Sequence, residues 1–168
     1  MNLAIIGMAG NLKSAVAALV ASQKKLMRLD CDEYIEYNFS MPIEQFVKKT
    51  NVTYFKKQIS KTVDELFDFE NAVFVSSDIS LLSNDDLKKL SQNCFVVCLS
   101  ATDATVLSKY SKIKPMSPLL NEEKVKKLNQ ACRTRYPKFS NFVLNVSKGS
   151  AKQYADKIVE AFDNRDRF

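Results

Sequence analysis

Short apolar runs alternate with helical patterns along the whole chain. The runs are uninterrupted, rather than alternating apolar with polar residues, which predicts strands that are buried on both faces. The predicted strands are residues 2–6, 26–29, 72–75, 95–99 and 142–146. The predicted helices are residues 13–23, 32–37, 42–49, 53–67, 84–92, 103–110, 122–133 and 150–162. This alternation predicts an α/β fold with a doubly wound, five-stranded parallel sheet and helices on both faces.

The length and regularity of the pattern predict a single domain over residues 1–168. Segment 108–121 breaks the pattern, because it combines several lysines with Pro115 and Pro118, and we expect it to form a lid loop. No apolar run approaches the ~18 residues of a membrane span. The N-terminus shows no secretory signal pattern. A cytoplasmic protein without membrane contact is the expectation, and the oligomeric state stays open, with a monomer as the expected form.

The net charge of +6 comes mainly from one region. Residues 109–138 hold nine Lys or Arg side chains against Glu122 and Glu123, a local net charge of +7. A basic patch of this kind attracts nucleic acid or small anions. The region shows no motif of basic residues with interleaved aromatics that would support nucleic acid, so a small anionic molecule or a nucleotide is the expected partner, and nucleic acid is not.

Histidine and cysteine usage narrows the chemistry further. The chain has no histidine, which removes the commonest general base and metal ligand. Its four cysteines form no C-x-x-C pair, and we expect them to be buried structural thiols.

A glycine-containing loop follows the first predicted strand and leads into the first helix. It reads Gly7-Met8-Ala9-Gly10-Asn11-Leu12-Lys13-Ser14. Backbone N–H groups at such a helix start bind anions, and the pattern G-x-x-x-x-G-K-[ST] places a Lys on the outer phosphates and a hydroxyl on magnesium. Leu12 departs from that pattern, because a glycine is expected before the Lys. We expect Leu12 to weaken nucleotide binding by crowding the loop and, if the loop needs a positive φ there, by strain of ~1–2 kcal/mol. An ordinary strand–turn–helix connection is the alternative interpretation.

Two carboxylates, Asp30 and Asp32, follow the second predicted strand. Ligands of open α/β sheets bind at the carboxyl ends of the strands. One carboxylate could position magnesium or a water, and the other could accept a hydrogen bond from a substrate hydroxyl. The alternative is that they cap the following helix.

Together these residues resemble the shikimate kinase family, over residues 2 to about 162. That family has a GxxGxGKS loop, an apolar-Asp-x-Asp segment followed by Ile-Glu, an MSI-x-E-x-F stretch, a Phe-Arg pair, a Pro-Leu-Leu and a Tyr-x-x-x-Ala-Asp-x-x-Val ending. The corresponding segments here are 7–14, 29–36, 41–46, Phe55-Lys56, 118–120 and 136–144. The resemblance implies a P-loop NTP-hydrolase fold of the shikimate-kinase kind, with ATP and Mg²⁺ as cofactors.

The resemblance also implies roles for particular residues. Lys13 and Asp30 would be catalytic, residues Gly7 to Ser14 would bind the nucleotide, and Ser14 and Asp30 would hold the metal. The expected substrate-binding residues are Asp32, Lys56, Ser77, Asp78 and Arg133.

Several of these positions depart from the family pattern. Ser77-Asp78-Ile79 stands where a Gly-Gly-Gly would wrap the substrate, and Ser117 replaces an Arg of the lid. Lys56 replaces a substrate-gripping Arg, and Lys cannot copy the planar fork with which Arg holds a carboxylate. Cys132 takes the position of a further Arg, with Arg133 beside it.

Two functions therefore remain open. The chain is expected to be a shikimate-kinase-like protein in which ATP-dependent phosphorylation of shikimate is weakened or lost. The alternative is an active kinase that uses ATP and Mg²⁺ on shikimate or on another small alcohol.

Overall fold

A five-stranded parallel sheet forms the centre of the computed structural model, which describes residues 1–8, 12–113 and 119–167. The strands are β1 (Asn2–Gly7), β2 (Met27–Asp30), β3 (Ala72–Val75), β4 (Cys94–Ser100) and β5 (Phe142–Asn145). Their order across the sheet is β2-β3-β1-β4-β5, and every neighbouring pair is parallel. The predicted sheet is thereby confirmed, with each strand within two residues of its expected bounds.

The helices of the described residues lie close to where the periodicity predicts them. They are α1 (Leu12–Lys24), α2 (Cys31–Phe39), α3 (Ile43–Lys49), α4 (Val52–Leu66), α5 (Asn84–Asn93), α6 (Asp103–Ile113), α7 (Glu122–Arg135) and α8 (Ala151–Asp163). Two short 3₁₀ helices, Tyr136–Phe139 and Arg165–Arg167, were not expected. Pro137 lies at the start of the first and favours such a turn.

Burial separates the central strands from the edge strands. All residues of β1 and β3 are buried, as expected for strands with helices on both sides. The first two residues of β2 are partly or fully exposed, and only Leu144 is fully buried in β5. The expectation that all five strands are buried is therefore wrong for the two edges, where one side of the strand has no neighbour in the sheet.

Helix starts are set by local side-chain hydrogen bonds. Ser83 and Asp86 form a capping box at α5, and Ser150 and Gln153 form another at α8. Pro42 occupies the N-cap position of α3 and makes no side-chain cap hydrogen bond. The two capping boxes satisfy N–H groups that have no partner within the helix.

The crossovers place the helices on both faces of the sheet. Helices α1 and α8 pack against each other. Because crossovers between parallel strands are right-handed, the strand order puts these two helices on one face and α2 to α7 on the other. All four cysteines are buried and unpaired, which confirms that expectation. Within the described residues, no helix has both the length and the apolar character that a membrane crossing needs.

The predicted lid segment, 108–121, falls partly outside the described residues. Helix α6 continues to Ile113, so the first part of the segment is helical rather than a loop. Residues 114–118, which include the lid position Ser117, lie outside the described residues. A lid function for the segment stays a prediction.

Gly7, the last residue of β1, is held where no other residue fits. Its φ is +121°, and a Cβ atom built there would lie 2.2 Å from the carbonyl oxygen of Leu99 on the neighbouring strand. Gly149 also has a positive φ, +142°, but its Cβ would meet only side-chain atoms of Tyr154 and Gln153, at 3.0 Å or more. The turn that leaves β1 therefore depends on a glycine for both backbone conformation and space.

We expect Gly7→Ala to lower the free energy of unfolding by about 3 kcal/mol or more, because conformational strain and a backbone clash combine. Gly149→Ala is the matched control and should cost about 1–2 kcal/mol, since its neighbours are side chains that can move. Urea unfolding followed by circular dichroism measures both. Equal losses in the two variants would contradict the argument.

Candidate functional site

The candidate site lies at the carboxyl edge of the sheet, where three neighbouring strands end. Gly7 ends β1, Asp30 ends β2, and the segment from Ser76 to Asp78 follows β3. This is the edge at which open α/β sheets bind ligands. The fold brings together side chains that are far apart in the sequence.

Lys13, in the first turn of α1, is fully buried. Its ammonium donates a hydrogen bond of 2.7 Å to the carbonyl oxygen of Gly7 and forms an ion pair with Asp78. Burial by itself lowers the pKa of Lys13, but the nearby Asp78 carboxylate outweighs it, so the net pKa lies above its ordinary value. Lys13 is therefore a charged group that a carboxylate of the same chain already neutralises.

Asp32 lies beside this ion pair. One of its carboxylate oxygens, Oδ2, accepts a hydrogen bond of 3.2 Å from the backbone N–H of Asp78. The other, Oδ1, is buried and has no hydrogen-bond partner among the described residues. Burial, followed by the negative charge of Asp78, raises the pKa of Asp32 to about 7. Burial also raises the pKa of Asp78, against the opposing effect of Lys13.

Ser14 and Asp30 meet directly, as their assignment to one metal site requires. The Ser14 hydroxyl donates a hydrogen bond of 2.6 Å to Oδ2 of Asp30. Hydroxyl and carboxylate oxygens are donors that Mg²⁺ accepts, and Mg²⁺ in kinases takes its remaining ligands from water and phosphate. No group of three or more His, Cys, Asp or Glu side chains in the described part of the chain could hold a metal. The pair therefore fits a Mg²⁺ ion that arrives with a nucleotide.

Asp30 also caps α2, which confirms the alternative interpretation for this residue, whereas its role at a metal stays a prediction. Its Oδ1 accepts from the backbone N–H of Asp32, at 3.2 Å, and from that of Glu33, at 3.5 Å. Arg28 approaches the other oxygen at 3.2 Å. Asp30 thus links the end of β2, the start of α2 and the start of α1.

The glycine-containing loop from Gly7 to Ser14 is described only at its two ends. Gly7 and Met8 precede a gap at Ala9, Gly10 and Asn11, which lie outside the described residues. Leu12 begins α1, is 8% exposed and packs into the hydrophobic core. Leu12 belongs to the helix, whose residues have negative φ, so the expected backbone strain at Leu12 does not arise. Crowding of a nucleotide by Leu12 stays a prediction.

The expected substrate-binding residues do not all gather at this site. Ser77 is buried beside Asp78, where its hydroxyl accepts a hydrogen bond of 3.1 Å from the N–H of Ile79. Lys56 lies on the exposed side of α4 and lines a neighbouring pocket. Arg133 is exposed on α7, and among the described residues it forms no hydrogen bond or ion pair with Lys13, Asp32 or Asp78. The helical phase of α7 turns Cys132, not Arg133, inward.

Three buried residues near the site were not predicted as part of it. Burial raises the pKa of Tyr110 and of Cys132, and the nearby Asp78 carboxylate raises both further, so the two groups stay uncharged; the Tyr110 hydroxyl has no partner among the described residues. The hydroxyl of Tyr136 accepts a hydrogen bond of 2.9 Å from the N–H of Leu82. In the sequence these are ordinary core residue types, and only the helical phase of α6 and α7 could have indicated them.

Part of the basic region between residues 109 and 138 is already engaged within the chain. The ammonium of Lys124 donates to the carbonyl oxygen of Leu119 at 2.9 Å, and Lys127 pairs with Glu123 at 2.7 Å. Arg135 donates to the carbonyl oxygen of Leu82 at 3.0 Å. Three of the nine basic side chains of the region are therefore already engaged within the chain.

Comparisons with known proteins agree with the motifs. The family model for shikimate kinase matches residues 9–163. A shikimate kinase of Caldanaerobacter subterraneus is 23% identical over 163 residues, covering 96% of this chain and 95% of that protein.

Solved structures show the same fold at low sequence identity. A shikimate kinase from Acinetobacter baumannii in complex with shikimate superposes with a TM-score of 0.86 at 21% identity, over 98% of this chain and 93% of that one. A deoxyadenosine kinase from M. mycoides, with the products dCMP and a flexible dCDP bound, superposes with a TM-score of 0.67 at 16% identity, over 98% and 99% of the two chains.

The raised pKa of Asp32 predicts that stability falls as the pH rises. The folded chain holds the proton of Asp32 up to about pH 7, whereas the ordinary value is 3.8, so the folded state binds more protons in this interval. The free energy of unfolding should therefore decrease between about pH 4 and pH 7. Asp78 contributes in the same direction, because its pKa is also raised.

Asp32→Asn should remove part of this decrease. Between about pH 4 and pH 7, the free energy of unfolding should therefore fall more steeply for the wild-type chain than for the variant. Urea unfolding in EDTA-containing buffers across the interval measures the difference. Asp68→Asn, which removes an exposed carboxylate, is the control and should follow the wild-type profile. Parallel profiles for Asp32→Asn and the wild type would contradict the electrostatic argument.

Proposed function

This chain belongs to the shikimate kinase family, and we propose that its ATP-dependent phosphorylation of shikimate is weakened or lost. The observation that carries the proposal is the ion pair between buried Lys13 and Asp78. This ion pair affects both the binding of the ATP phosphates and the binding of the substrate.

On the phosphate side, Lys13 has a competing partner. Phosphoryl transfer depends mainly on positioning and on neutralisation of charge, and a lysine at this place in the loop acts by holding the outer phosphates. Members of the family use ATP and Mg²⁺, for which Lys13, Ser14 and Asp30 are the expected contacts here. Lys13 can hold a phosphate only after it releases Asp78. That release leaves a half-buried carboxylate without its partner, which is unfavourable.

On the substrate side, the charges oppose an anionic ligand. Asp78 adds a negative charge next to Asp32, whereas shikimate carries a carboxylate of its own. Lys56 supplies a positive charge but lacks the bidentate geometry of Arg. Arg133 points to solvent on α7 and gives no compensation near Asp32.

A second candidate, an active kinase for a different small alcohol, is supported by two observations. Ser14 and Asp30 are in contact, as a magnesium site needs. Asp32 has a buried oxygen without a partner among the described residues, and its pKa is about 7, which suits a group that accepts a proton from a substrate hydroxyl. This candidate retains the reaction type and changes the substrate.

Removal of the Asp78 charge should tighten ATP binding. We expect Asp78→Asn to lower the dissociation constant of ATP at least ~tenfold, because Lys13 becomes available and one like charge is removed. Calorimetry with and without Mg²⁺ measures the change, and urea unfolding checks that the variant is folded. Asp68→Asn makes the same change in net charge at an exposed position and should leave the constant unchanged. The same affinity in the wild type and Asp78→Asn would remove the main support for the proposal.

Shikimate turnover by the wild-type chain should fall far below ~1–100 s⁻¹, the ordinary range for kinases. A coupled assay for ADP, with ATP, Mg²⁺ and shikimate, measures it. Ser14→Ala is the control for contaminating kinases, because activity that belongs to this chain must decrease when the magnesium-binding hydroxyl is removed. Turnover within the ordinary range that is sensitive to Ser14→Ala would show that the proposal is wrong.

A further inference from the structure

A pocket of about 190 Å³ lies between α3, α4, α7 and the segment that follows β3, and Ile79 of its lining is the residue after Asp78. Its described lining is mainly apolar and includes Val47, Phe55, Ile79, Leu81, Leu119 and Leu128. Typical ligand pockets measure ~300–1,000 Å³, so this one suits a body no larger than a single small ring.

The polar side chains of the described lining are few. They are Ser80, Lys56 and Lys124. The ammonium of Lys124 already donates to the carbonyl oxygen of Leu119 at 2.9 Å. A hydroxyl group that enters this pocket loses its hydrogen bonds to water and finds few replacements, which disfavours a polyhydroxylated ring.

Lys56 gives one side of the pocket a positive charge. Among the described residues, none forms a hydrogen bond or an ion pair with its ammonium group. Lys56 also borders a second cleft, together with Arg135 and Asp86. Asp86 accepts hydrogen bonds from Ser60 and Ser83. The ammonium therefore stands between an apolar pocket and a polar cleft, where it can meet the charged end of a ligand.

From this juxtaposition we propose that the pocket binds a small anion with an apolar body, of which a cyclic monocarboxylate without ring hydroxyl groups is the simplest form. The apolar ring fills the space between Val47, Leu81 and Leu128, and the carboxylate pairs with Lys56. The inference rests on the proposed loss of shikimate phosphorylation, because it assigns the neighbouring pocket a less polar ligand than shikimate.

Cyclohexenecarboxylate tests the proposal, because it is shikimate without its ring hydroxyl groups. Its binding and that of shikimate are followed by NMR of the nucleotide-free chain with labelled Ile, Leu and Val methyl groups. We expect cyclohexenecarboxylate to bind at least ~tenfold more tightly than shikimate, since the hydroxyl groups of shikimate would lie unpaired. The largest shifts should fall on the methyl groups of Val47, Val52, Ile79, Leu81 and Leu128.

Variants on α4 test the two ends of the ligand separately. Lys56→Gln should weaken cyclohexenecarboxylate about three- to fivefold, the range of an exposed ion pair, and should leave the uncharged cyclohexenecarboxamide unaffected. Lys57→Gln is the matched control, because Lys57 is the next residue on α4 but does not line this pocket, and it should change neither. Val52→Trp, at an exposed lining position, should weaken both ligands without unfolding the chain.

The outcomes separate this inference from the proposed function. Shikimate binding that equals or exceeds that of cyclohexenecarboxylate overturns the inference, as do methyl shifts outside the pocket or the absence of saturable binding. If one of these results is found and shikimate is not phosphorylated, the inference about the pocket is wrong and the proposed function stands. Rapid phosphorylation of shikimate overturns the proposed function, whatever cyclohexenecarboxylate does.

Discussion

The buried ammonium of Lys13 has to be neutralised, and the arrangement of the whole carboxyl edge follows from how this is done. A charge without access to water is strongly unfavourable unless it is paired and hydrogen bonded. The carbonyl oxygen of Gly7 and the carboxylate of Asp78 meet this need. The N–H of Asp78 in turn binds Asp32, so the segments after β1, β2 and β3 are connected through one cation. Asp78 stands in for the anion that a phosphate would supply.

Much of the fold can be predicted from this sequence, because apolar runs and helix caps are local signals. The contact of Ser14 with Asp30 was also predictable, since the loops at the carboxyl ends of parallel strands meet at one edge of the sheet, although β3 lies between β1 and β2. The pairing of Lys13 with Asp78 was not, because the two residues are 65 positions apart and a charge at position 78 could equally have faced solvent or substrate. The placement of Arg133 was missed for a related reason. A shift of one residue turns a helical side chain by about 100°, which separates exposed Arg133 from buried Cys132.

The two halves of the candidate site have opposite character. Around Lys13, Asp32 and Asp78, the groups are charged, buried and mutually dependent, so a change in one alters the protonation or exposure of the others. Around Val47, Leu81 and Leu128, the surface is apolar, and its charge lies at the rim on Lys56 and Lys124. A ligand that spans both halves would have to satisfy carboxylates at one end and lysines at the other. This division supports the proposal that a polar substrate such as shikimate suits the site poorly, even though the fold is that of the family.

Asp30 shows why the presence of a family motif is weak evidence that the family's reaction still takes place. Its carboxylate caps α2 and accepts the Ser14 hydroxyl in the same structure, and an N-cap contributes about 1 kcal/mol to stability. Natural selection for folding alone would then keep Asp30 in a lineage that had stopped phosphorylating anything. The residues of a kinase motif can therefore persist for structural reasons after the activity has been lost.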